Sequence, residues 1–167
     1  ADAPKFKNTA EALKWLNGKK IGVSGKGSCG DRFVTNLIKK TGIKVQVDYL
    51  APTIIKTSLQ AKKLDAAQAF QPHIAQIENL GHGRVAFTGS QWMARDANFI
   101  LMRKDFIDKH PEAALGWIKA DIEALQFMLK DPYETVKIVA KDLPGFSTKD
   151  LWMGLYGSYA DNTGSQE

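Results

Sequence analysis

With 167 residues, 44% of them hydrophobic and 25% charged, the chain is long enough to bury a core and has the composition of an ordinary globule. No apolar run approaches the roughly 20 residues of a membrane-crossing helix, and a single cysteine excludes an internal disulfide. The net charge of +5 is scattered over short doublets (Lys19-Lys20, Lys39-Lys40, Lys62-Lys63) with no basic stripe between aromatics, which argues against a nucleic-acid partner and leaves an anionic small molecule or a solvated surface.

Asn8 and Glu11 have capping-box spacing and predict a short helix carrying Leu13 and Leu16 and stopping at Gly18. Ile21–Ser24 reads as a buried strand that breaks into Gly25-Lys26-Gly27-Ser28. An amphipathic helix over 31–41 follows, with Phe33, Val34, Leu37 and Ile38 on its apolar side and Gly42 at its C-terminal glycine position. Val45 to Leu50 alternates as a second strand does, and Pro52 stands at the first position of a helix to residue 62. Leu64 to Phe70 is the expected third strand, Pro72 opens a helix with Ile74 and Ile77 inward, and Arg84–Thr88 and Asn98–Met102 are the expected fourth and fifth. The alternation then stops. Pro111 opens a long helix to Lys130 with Leu115, Ile118, Ile122, Leu125 and Leu129 at helical spacing. Asp131-Pro132 restarts the chain to Asp142, and after the Leu143-Pro144-Gly145 turn Ser147 and Asp150 cap a helix carrying Leu151, Trp152, Leu155 and Tyr156.

This order predicts an α/β, three-layer lobe over residues 1–104, with a mainly parallel sheet of about five strands and helices on both faces. Residues 105–167 form a helical C-terminal segment. In such sheets ligands sit at the carboxyl ends of the strands. Two junctions qualify: Ser24 to Cys29, and Phe70-Gln71-Pro72-His73. At the first, the unpartnered N–H groups and dipole of a helix start, the Ser28 hydroxyl and the Lys26 charge make an anion cradle, and glycines let a ligand approach the backbone. The same letters, Gly25-x-Gly27-x-x-Gly30 with Asp48 further on, spell a dinucleotide fingerprint.

At these stretches the sequence resembles the periplasmic solute-binding proteins of ABC importers, in the nitrate, sulfonate and taurine branch with its relatives for pyrimidine precursors. Gly18-Lys19-Lys20-Ile21-Gly22-Val23 with Lys26-Gly27-Ser28, and Leu64-Asp65-Ala66 with Phe70-Gln71-Pro72, carry the likeness. Phe70 stands where tryptophan is usual and Gln71 where an acid is usual. Asp105-Phe106-Ile107 and His110-Pro111-Glu112 are similar too, so that the resemblance covers residues 8–157. It implies a lobe of the type II periplasmic-binding-protein kind within a longer two-lobed clamshell. Residues 1–104 would be the second lobe and 105–167 would pack on it or lead back to the first. It also implies a small anionic or polar solute, an ABC permease as partner, a periplasmic or membrane-associated extracellular location, no cofactor and no catalytic residue. Ala1 shows no secretory signal, so the chain is expected to be cytosolic, already processed or a fragment.

The expected ligand-binding residues are Ser24, Lys26, Gly27, Ser28, Cys29, Phe70, Gln71 and His73. Ser28 serves equally as a helix cap. Cys29 at a helix start has the setting of a nucleophile, but with no nameable base it reads as a small buried thiol. Gln71 in place of an acid favours an anion or a neutral polar group, and Phe70 stacks on the ligand or covers the core. His82 reads as a turn residue and His110 as preceding a helix, and no metal-ligand spacing links them to His73. Trp92 and Arg95 reach a cleft rim or the surface, and Trp15, Trp117 and Trp152 read as helix-packing residues. Beside the binding module stand a nucleotide-binding enzyme using the Gly25–Gly30 turn, an enzyme of pyrimidine synthesis on the same fold, and a ligand-sensing domain of a regulator. The chain lacks the cysteine-rich run that the resemblance associates with the second of these.

Overall fold

In the computed structural model, which describes residues 4–89 and 99–157, the sheet is built around β1 (Lys20–Val23). β2 (Gln46–Tyr49) and β3 (Ala66–Ala67) flank it, both parallel to it, in the order β2-β1-β3. Ile21 stands opposite Val47 on one side and Ala66 on the other, and Gly22 opposite Asp48 and Ala67. Because β2 and β3 lie on opposite sides of β1, right-handed crossovers place the two connecting helices on opposite faces.

Those helices are α2 (Cys29–Thr41) and α3 (Pro52–Gln60); α1 (Thr9–Leu16) precedes the sheet and α4 (His73–Asn79) follows β3. Ile21 and Val23 of β1 share a cluster with Leu16 of α1 and Val34 and Leu37 of α2, against which Phe33 and Phe87 pack with ring centroids 6.1 Å apart. On the other face Gly22 lies under Ile55 of α3 and Leu64. Helices therefore cover both faces of the small parallel sheet. Val23, Leu37 and Ile55 are each under 2% exposed, and burying such a side chain contributes about 1.5–3 kcal/mol.

Local chemistry fixes the helix ends. Asn8 Oδ1 accepts from the Glu11 N–H at 3.0 Å, and Glu11 Oε2 accepts from the Lys7 N–H at 2.9 Å, one residue before the usual capping-box partner. Gly42 closes α2 in the left-handed conformation, at φ 70°, with its N–H on the Ile38 carbonyl at 2.8 Å.

Three strands, not five, occur among the described residues. Arg84–Thr88 is irregular, because its backbone is tied to a side chain rather than a ladder: the Val85 N–H donates to Glu78 Oε1 at 2.9 Å while Phe87 turns into the core. Of the expected fifth strand, Asn98 lies outside the described residues and 99–102 form no ladder, with Leu101 90% exposed. β3 is shorter than Leu64–Phe70 because its neighbour runs out. Gln68 N–H takes the Gly22 carbonyl at 2.9 Å; carbonyls alternate sides along a strand, so the next one toward β3 would be that of Ser24, which lies past the end of β1.

The chain divides into two compact units, one made of 1–95 with 149–167 and the other of 96–148. The described part of the second is helical: α5 (Lys104–Lys109), α6 (Pro111–Lys130) and α7 (Pro132–Asp142). α6 spans the expected residues, yet Ala114 is its one buried residue. Leu115 and Leu129 are exposed, as is Trp117, which does not pack as its sequence reading suggested. The neighbours of α6 within the unit, α5 and α7, are both shorter and leave most of its apolar stripe uncovered. α8 (Thr148–Leu155) ends the described chain. Asp150, expected at its cap, is buried and accepts from Asn79 Nδ2 of α4 at 2.6 Å, and Gly154 packs against Pro72 closely enough that a Cβ would lie 3.2 Å from the proline Cβ. No helix among the described residues is long and apolar enough to cross a membrane.

Candidate functional site

Parallel pairing brings both strand-to-helix junctions to the carboxyl edge of the sheet, Ser24–Ser28 after β1 and Gln68–Pro72 after β3. The winding reverses between these two strands, and that reversal is where open α/β sheets hold ligands.

At the first junction Ser28 caps α2. Its Oγ accepts from the Asp31 N–H at 3.2 Å and donates to the Gly25 carbonyl at 2.7 Å, so a ligand meets a hydroxyl already engaged on both sides. The Gly27 N–H is also taken: it donates to Asp31 Oδ2 at 2.7 Å. Tyr49, at the end of β2, donates its hydroxyl to Asp31 Oδ1 at 2.7 Å. These bonds, the Gly27 N–H first and the tyrosine hydroxyl second, hold the Asp31 carboxyl below the usual range, and the carboxylate in turn raises the Tyr49 hydroxyl. Of the first N–H groups of α2, those of Cys29 and Gly30 are left without a hydrogen bond among the described residues. Lys26 and Gly27 are exposed and Ser24 is half-buried. Cys29 is exposed, contrary to its expected burial, because the buried stripe of α2 runs through Gly30, Val34 and Leu37, one residue further round the helix.

At the second junction Phe70 is 47% exposed and offers an aromatic face at the edge. Gln71 precedes Pro72 through a cis peptide, and its Oε1 accepts from the Ala75 N–H at 3.2 Å in the first turn of α4. His73 opens α4. Burial, and then the nearby positive charge of Lys56, hold its imidazole below the ordinary pKa, which keeps it neutral at pH 7. Lys56 reaches across from α3 to donate to Gln76 Oε1 at 2.9 Å.

Four residues at this edge escape a reading of the sequence. Asp31 had a visible signal, since Ser28-x-x-Asp31 is a capping-box spacing; its carboxylate reaches Gly27, as that of Glu11 reaches Lys7. Tyr49, Lys56 and Gln68 had none, because their partners lie 18 or more residues away or on another element. Asp48, the acid of the dinucleotide pattern, lies within β2 with Lys20 Nζ 2.9 Å from its Oδ2. Trp92 and Arg95 lie outside the described residues. Among the described residues no three histidine, cysteine or acidic side chains are grouped to hold a metal ion.

The NMT1-like family matches residues 1–143. The chain belongs to that family. It is 31% identical over 144 residues to proteins of Brucella abortus (strain 2308) and Brucella suis biovar 1 (strain 1330), whose names describe candidate binding proteins; the match takes in 83% of this chain and 44% of theirs. It is also 31% identical over 101 residues to the taurine-binding periplasmic protein of Escherichia coli (strain K12), taking in 57% of this chain and 31% of that one. The chain thus spans less than half the length of these relatives. No solved structure matches it.

Proposed function

We propose that the chain is part of the solute-binding component of an ABC-type importer. It takes a small anionic or polar organic solute, of the sulfonate, nitrate or taurine kind, at the edge between β1 and β3. The observation that carries this reading is membership of the NMT1-like family over 143 residues together with relatives named for binding, one of them for binding taurine in the periplasm. The geometry supports it. The open N–H groups of Cys29 and Gly30 at a helix start, with the exposed Lys26 ammonium nearby, suit a single negative charge. Phe70 supplies an apolar face, and Gln71 adds no charge of its own. The work of such a site is binding and release, so its named residues hold and orient the solute and none transfers a bond. Delivery to a membrane permease, and a periplasmic or membrane-associated extracellular location, belong to the same proposal.

Isothermal titration of the full-length protein with taurine, ethanesulfonate and nitrate tests it. Dissociation constants of about 0.1–10 µM, or 7–10 kcal/mol, are expected for at least one of them, weakened tenfold or more by Lys26→Ala combined with Phe70→Ala. Millimolar or absent binding of all three, with tight binding of NAD(P), would transfer the site to the nucleotide reading.

A further inference from the structure

We infer, resting on the solute-site reading of the β1/β3 edge, that Gln68 is a specificity-determining residue whose side-chain carbonyl accepts a hydrogen bond from an N–H or O–H group of the solute. The residue sits at the floor of the switch point. Its main chain is fixed there by its N–H on the Gly22 carbonyl at 2.9 Å. Its side chain leans from the end of β3 onto the first turn of α2, against Gly30, where any Cβ would overlap the amide. Nε2 donates to the Ala69 carbonyl at 3.3 Å, which orients the amide and leaves Oε1 as the atom facing Gly30. That oxygen is shut off from solvent and has no hydrogen-bond partner, and it is the one such buried side-chain atom among the described residues.

A buried carbonyl without a donor is a cost that native folds rarely carry without a reason. It cannot take the helix N–H groups from its seat, and its amide is held by a single long bond. Gln68 as a whole is half-buried, and on this inference its terminal torsions turn in binding so that Oε1 leaves Gly30 and meets the solute. A solute whose anionic group takes the Cys29 and Gly30 N–H groups, and which carries a donor a few atoms away, satisfies both sets together. A solute lacking the donor leaves the carbonyl unpaired, and a site of that kind discriminates by the missing bond.

Three sulfonates of one length separate the terms: taurine ends in an ammonium, isethionate in a hydroxyl and ethanesulfonate in a methyl. Calorimetry on the full-length protein is expected to show taurine or isethionate bound at least about tenfold more tightly than ethanesulfonate, the worth of one hydrogen bond. Gln68→Leu, or Gln68→Met where the leucine variant does not fold, removes the acceptor at similar length. It is expected to bring the three within about threefold of one another while ethanesulfonate itself changes by less than about threefold. A preference that survives both Gln68 variants, or three equal affinities in the wild type, overturns the role of Gln68 and leaves the solute site standing. Failure of all three sulfonates to bind overturns the sulfonate reading of the site, and this inference with it.

Discussion

Gly22→Ala tests the packing that places β1 between two helical layers. A Cβ on Gly22 would lie 2.6 Å from Leu64 Cδ1 and 3.5 Å from Ile55 Cγ1. The leucine methyl must therefore retreat by most of an ångström, and Leu64 is only 5% exposed, with Ile55 at 1% beside it. Overpacking of this kind costs about 1–3 kcal/mol, and the smaller entropy of an unfolded alanine returns about 0.4–1. The expected net loss is about 1–2 kcal/mol, or about 2–8 °C in Tm for a chain of this size. Urea unfolding reads it as a lower midpoint with an unchanged slope. In a Leu64→Ala background the methyl is gone, and Gly22→Ala is expected to become neutral or stabilising; that reversal isolates the contact. Gly25→Ala is the control, since nothing lies within 4 Å of its Cβ position, and it is expected to shift stability by less than about 0.5 kcal/mol. A Gly22→Ala variant as stable as the wild type, or one whose cost persists without Leu64, would refute the close approach of α3 and Leu64 to β1.

Ser28→Ala removes the cap of α2 and the bond to the Gly25 carbonyl; about 1 kcal/mol of stability is expected to go, read from urea midpoints, and an unchanged midpoint would deny the cap. His73 titrates lower in the folded chain than its ordinary 6.5, so the unfolded state binds more protons in that window and stability falls as pH drops below about 6.5; His73→Gln is expected to flatten that slope, and an equal slope in the variant would place its origin elsewhere. Tyr49→Phe takes one donor from Asp31, whose carboxyl is expected to climb back toward 3.8 in a carbon-13 titration; an unmoved value would mean that the tyrosine hydroxyl does not hold it. Asp150→Ala takes from the half-buried Asn79 amide its 2.6 Å partner, and a loss of about 1–2 kcal/mol is expected from denaturation curves; a neutral variant would remove the anchor of α8 on α4.

What the sequence made legible was what short-range rules decide. Asn8, Ser28 and Gly42 mark helix ends by groups a few residues away, and Pro111 with Asp131-Pro132 bounds α6 at both ends. The two absent strands failed for the opposite reason. Val85 and Phe87 carry the apolar alternation of a strand, but a strand also needs a neighbour's carbonyl, and the Val85 N–H finds the Glu78 carboxylate instead. Apolar spacing likewise marks α6 as a helix without saying what covers it, and Leu115 and Leu129 stand exposed.

At the site, the glycine pattern was legible and its meaning was not. The three glycines of Gly25-x-Gly27-x-x-Gly30 do three different things. Gly25 has open space around it, Gly27 holds φ at +77°, and Gly30 makes room for Gln68. In a dinucleotide turn the middle glycine brings the backbone to a pyrophosphate and an acid at the tip of the second strand takes the ribose. Here the Gly27 N–H is spent on the Asp31 carboxylate, and Asp48 is inside β2, paired with Lys20. A pyrophosphate entering this turn would compete with an internal carboxylate for its donor and lie beside that negative charge. A small monoanion needs only the N–H groups of Cys29 and Gly30, which that carboxylate leaves open. On the proposed function, the acid three residues after Ser28 therefore favours a ligand of low charge over a pyrophosphate, a distinction that three glycines alone cannot make.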